Sequence, residues 1–83
     1  MFPVTSMAYS DREVFRALQN LIQQHGENAI ISQSMVAEES GSPLVTVKKS
    51  LHRLETSGRI RREFTVGIGY KYRICDGRAA QRE

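Results

Sequence analysis

Apolar residues recur along this chain with two different spacings, and the change from one to the other divides it into helices followed by a hairpin. Val14, Phe15, Ala17, Leu18, Leu21 and Ile22 form a broad stripe at helical spacing, closed by His25 and Gly26. Ser10-Asp11-Arg12-Glu13 at its start has the spacing of a capping box, which predicts a first helix from Ser10. Asp11 and Glu13 suit that place because first-turn carboxylates complement the helix dipole. The run Ala29-Ile30-Ile31 is too short for a helix and β-branched enough for a brief strand over Asn28 to Ser32. Ser32 can cap a second helix reaching about Ser40, with Met35, Val36 and Ala37 packed inward. Gly41 supplies a sharp turn.

Ser42 followed by Pro43 then reads as a helix start, the serine oxygen accepting from a free amide and the proline sitting at the first helical position. The expected third helix spans about residues 43 to 57 and ends before Gly58. Advancing about 100° per residue, Leu44, Val47, Leu51 and Leu54 share one side, whereas Val45, Thr46, Lys49, His52 and Arg53 lie opposite with Lys48 at the edge. The helix is thus apolar beneath and cationic above. Beyond Gly58 the period shortens to two. Ile60, Arg62 and Phe64 point one way, with Tyr70, Tyr72 and Ile74 on the returning limb, and Val66-Gly67-Ile68-Gly69 connects the two. Ile60, Tyr72 and Ile74 are expected to close the core.

Residues 37 to 60 carry Ala37, Gly41, Thr46, Val47, Leu51, Leu54, Gly58 and Ile60, preceded by Val36, at the intervals of a known signature. In this the chain resembles the winged helix-turn-helix superfamily, above all the small MarR-like and GntR-like bacterial regulators. The likeness covers about residues 10 to 75 and departs from the usual pattern at Ser40, where a leucine is common, and at Pro43, where a serine is. Ser40 is expected to weaken packing between the second and third helices. The resemblance implies an α+β fold in the order α1-β1-α2-α3-β2-β3; outside it, residues 1–9 read as an irregular, flexible arm and residues 76–83 as a short tail. The resemblance also implies DNA binding, and a pairing of the first short strand with the wing.

Charge agrees with that implication. The chain has 83 residues and a net charge of +3, but residues 1–41 hold two cationic against five acidic side chains (−3), and residues 42–83 ten against four (+6). The simplest use of such segregation is a polyanionic partner, because neutralised phosphates release condensed counterions. No apolar run approaches the roughly 18 residues of a membrane span, and the N-terminus has no export pattern, so a cytoplasmic, nucleoid-associated protein is expected. Cys75 is the sole cysteine, which rules out an intrachain disulfide and a cysteine-cluster metal site. Two separated histidines and no cluster of inward carboxylates offer no nucleophile–base pair. The expectation is a non-enzyme without cofactor or metal.

The leading expectation is a sequence-specific binder of double-stranded DNA, a regulator that represses by occupying a promoter. Helix 43–57 would enter the major groove, with Lys49 and His52 at base edges, Val45 on thymine methyls, Thr46, Lys48 and Arg53 on phosphates, and Ser42 among the DNA-binding residues. Arg61, Arg62, Lys71 and Arg73 of the wing 59–75 would contact backbone or minor groove, with Tyr70 as a phosphate donor. A homodimer is expected through Phe2, Val4, Met7, Tyr9 and the exposed end of the first helix. Two alternatives stay open: a plasmid or phage protein coating centromere-like or recombination sites, and a winged-helix module that binds an acidic protein.

Overall fold

A computed structural model describes residues 9–75, which form three helices and a two-stranded antiparallel sheet. The elements are α1 (Tyr9–His25), α2 (Gln33–Ser40), α3 (Leu44–Thr56), β1 (Ile60–Thr65) and β2 (Gly69–Ile74). Val14, Ala17, Leu18 and Leu21 of α1 meet Val36 of α2 and Val47, Leu51 and Leu54 of α3, and Ile31, Ile60 and Tyr72 close the same core. The stripes read from the sequence therefore converge on one interior. Leu44 is an exception: it lies 42% exposed.

Several local expectations need correction. Tyr9 is already helical, so Ser10 lies within α1 and does not cap it. Asp11 does not serve the dipole at the surface; it is buried. In α2 the capping box forms with an unusual member: Ser32 Oγ accepts from the Met35 amide at 3.1 Å, and Met35 Sδ accepts from the Ser32 amide at 3.4 Å. Gly41 follows at φ 72°, a left-handed conformation that glycine adopts without a Cβ clash, and its amide bonds to the Ala37 carbonyl. Ser40 is not idle at this corner, since its hydroxyl accepts from the Ser42 amide at 3.3 Å and donates to the Ala37 carbonyl at 3.4 Å. The cap position of α3 falls on Pro43 rather than Ser42, and no side chain among the described residues caps that end.

Of the three expected strands, two form. The segment before α2 contributes a single bridge, Ile30 to Lys71, with the Ile31 amide bonded to the Tyr70 carbonyl at 3.0 Å. Ala29 is held in the turn after α1 by a bond to the Gly26 carbonyl, and Ser32 already caps α2, so only Ile30 and Ile31 are left to pair. In the hairpin itself the register runs from Ile60 opposite Ile74 to Thr65 opposite Gly69. The Ile68 amide bonds to the Thr65 carbonyl at 2.9 Å and closes the turn. Gly69 is fixed by its surroundings: φ is 126°, and a Cβ there would stand 2.9 Å from Ile30 Cγ2.

Candidate nucleic-acid interface

The amphipathicity of α3 decides what the helix shows to solvent. Val47, Ser50, Leu51 and Leu54 are buried, which turns Val45, Lys48, Lys49 and His52 outward, all exposed, with Thr46 half-buried beside them. Lys48 and Lys49 have no salt-bridge partner among the described residues. The start of α3 adds a second feature. Pro43 brings no amide, Val47 bonds back to the Pro43 carbonyl at 3.0 Å, and the amides of Leu44, Val45 and Thr46 have no partner among the described residues. Unpaired amides at a helix N-terminus, together with the helix dipole, favour an anion. Ser42, expected as the cap, stands half-buried next to them.

Arg53 is differently placed from its neighbours on α3. Its Nε and Nη2 donate to both oxygens of Asp11, at 2.9 and 2.7 Å, which ties the end of α3 to the first turn of α1. The Arg53 guanidinium beside Asp11 holds that carboxyl below its ordinary range, against the opposing effect of burial, with Ser50 adding a hydrogen bond. Arg53 is in turn raised by the same carboxylate. Expected as a phosphate contact, Arg53 is engaged within the molecule. The signal that could have exposed this is Asp11 itself, a charged residue on the same turn as buried Val14. A hollow of about 380 Å³ lies alongside, lined by Asp11, His52, Arg53, Thr56, Ser57 and Arg59.

The hairpin divides its charges by face. Arg61 stands opposite Arg73, and Glu63 opposite Lys71, on the side turned away from the core. Two like charges directly opposite each other weaken a hairpin, and here Glu27 and Glu63 line the same shallow hollow as Arg61, Lys71 and Arg73. The other side carries Arg62, which donates to Glu55 Oε1 at 3.0 and 2.7 Å and lies over the Tyr70 ring at 5.4 Å. Tyr70 also packs against Phe64, with ring centroids 5.0 Å apart. Arg62 and Tyr70, both expected at the interface, are thus built into the inner face. Burial pulls the Arg62 pKa down, but the Glu55 carboxylate and the nearby Tyr72 hydroxyl together outweigh it and the net direction is upward.

The expected site residues therefore fall into two groups. Ser42, Val45, Thr46, Lys48, Lys49 and His52 share one exposed face and end of α3, and Arg61, Lys71 and Arg73 share the outer face of the hairpin. Arg53, Arg62 and Tyr70 have internal partners. Phe2, Val4 and Met7, expected at a dimer contact, and the tail 76–83 lie outside the described residues, while Tyr9 is exposed. Among the described residues no group of three or more His, Cys, Asp or Glu side chains could hold a metal ion, and no helix is long and apolar enough to cross a membrane. Comparison of the chain with known protein families, with curated proteins and with solved structures finds no match.

Proposed function

We propose that this chain is a winged helix-turn-helix protein that binds double-stranded DNA, with α3 in the major groove and the β1–β2 hairpin as the wing. The observation that carries the reading is the outer face of α3, where unpaired Lys48 and Lys49 stand beside His52 and Val45 on a helix anchored from behind by a packed core. A helix is the width the major groove admits, and these side chains can meet its chemistry: Lys49 and His52 at base edges, Val45 on thymine methyl groups. Lys48, Thr46 and the three free amides at the start of α3 address phosphates and set the register. On the hairpin, Arg61, Lys71 and Arg73 supply further phosphate contacts, and the cross-strand repulsion of Arg61 and Arg73 is relieved by a polyanion.

The proposed activity is regulatory: the bound protein occupies a promoter and excludes other factors, a role that needs no chemistry. A salt titration on random and selected duplexes tests it. Contacts to roughly five phosphates make log K fall against log salt with a slope of about −4 to −5. No measurable affinity for duplex at low salt would overturn the proposal and point to an acidic protein partner for the same face.

A further inference from the structure

Strand β1 ends the sheet. It is bonded to β2 on one side, β2 takes Ile30 and Ile31 along its far edge, and the outer edge of β1 has no backbone hydrogen bond among the described residues. An open edge is a template for another strand unless charge, proline or a bulge blocks it. β1, with sequence IRREFT, has six residues and neither proline nor glycine. Its charges do not block every partner, because they are complementary to the strand's own sequence read backwards.

Side chains alternate between faces, so an antiparallel pairing of two β1 strands keeps core face with core face only when a residue sits opposite its own copy at the centre. With Arg62 at the centre, Arg61 meets Glu63 of the second copy, and Ile60 meets Phe64, each twice by symmetry. Joined to the observed β1–β2 register, the outer row across the four strands reads Arg73, Arg61, Glu63, Lys71, and the inner row Ile74, Ile60, Phe64, Tyr70. The first row places a carboxylate next to the two like charges that face each other within one chain. The second covers Phe64, which is 59% exposed in the single chain. The two Arg62 side chains at the centre are each already neutralised by Glu55 at 2.7 Å. Centring on Arg61 instead sets that arginine against itself and Ile60 against Arg62. Centring on Glu63 brings two carboxylates together.

We propose that β1 is a dimerisation edge, pairing antiparallel with β1 of a second copy about Arg62 to give a four-stranded sheet. Such an interface is self-complementary and closes at two chains. It shares Arg61 with the phosphate contacts proposed above, and its test is therefore read without DNA.

Sedimentation velocity of the full chain without DNA, over a series of concentrations, tests the edge together with a charge swap. Arg61 and Glu63 are exposed on the outer face, so their substitution leaves the core intact. Wild type is expected to reach twice the chain mass. Arg61→Glu and Glu63→Arg each turn two attractive contacts into repulsive ones and weaken the dimer by roughly tenfold or more. The double variant Arg61→Glu/Glu63→Arg restores the complementary pairs and brings the affinity back to within about threefold of wild type. Amides of β1 should also exchange more slowly as protein concentration rises. A wild-type chain that stays monomeric, single variants that dimerise as wild type does, or a double variant that fails to recover would each overturn the proposal.

Discussion

Replacing Asp11 with asparagine should weaken the fold and strengthen the proposed DNA binding at the same time. The carboxylate is buried and receives hydrogen bonds from Arg53 at 2.7 and 2.9 Å, whereas the Arg53 side chain is 51% exposed. A hydrogen bond to a charged group is worth about 1.5–3 kcal/mol, and loss of a fully buried ion-pair partner costs about 3–5 kcal/mol. Arg53 can turn to water when released, which screens the loss, so the lower range applies and about 1–2 kcal/mol is expected. Urea unfolding at neutral pH measures it: with a slope of about 1–1.5 kcal/mol/M for so small a domain, the midpoint falls by about 1 M. The contribution is linked to pH. Because the folded Asp11 pKa lies below its unfolded value, the stabilisation is present above about pH 4 and is lost as pH falls through the folded value, so the gap between wild type and variant narrows in acid. In the same variant Arg53 becomes available to phosphate, and affinity for random duplex, followed by fluorescence anisotropy at low salt, should rise with a steeper salt slope. A destabilisation below about 0.5 kcal/mol, in the range of ordinary surface changes, would refute the assignment of this pair as a clamp between α1 and α3.

Other outcomes follow from single positions. Lys49→Ala should reduce the preference for selected over random duplex, whereas Arg73→Ala should weaken both by similar factors; competition binding separates the two effects. Among the described residues the buried Tyr72 hydroxyl makes no well-formed hydrogen bond; burial raises its pKa and the nearby Arg62 guanidinium opposes that rise without satisfying the group, so Tyr72→Phe should stabilise the fold by up to about 1 kcal/mol in chemical denaturation. Gly69→Ala must accommodate a φ of 126° and a Cβ 2.9 Å from Ile30, and a loss of about 1–3 kcal/mol is expected in the same assay.

Periodicity made the larger part of this architecture legible. Val47, Leu51 and Leu54 could be assigned to one buried stripe because helical spacing is a local property, and Ile60, Tyr72 and Ile74 to the inner face because strand alternation is another. What depends on residues far apart left no such trace. Asp11 and Arg53 are 42 positions from each other, and each taken alone had a satisfactory local reading, at a helix start and on a cationic face. Arg62 pointed to the core side by alternation, yet its partner Glu55 belongs to the preceding helix. Composition favours a strand over residues 28–32 but ignores how few residues remain between the turn after α1 and the cap of α2. Ser42 does not cap α3 for a related reason: Gly41 and the Ser40 hydroxyl already shape that corner.

The link between Ile31 and Tyr70 has a practical consequence for anyone who modifies this protein. Ile31 is one residue from the cap of α2 and its amide is fastened to β2, so lengthening the chain between positions 31 and 32 would uncouple the hairpin from the helices. The turn at Val66, 86% exposed, carries no comparable backbone tether to the helices among the described residues. A fluorophore or peptide tag belongs there, where it can report on the hairpin without loosening the joint that holds it.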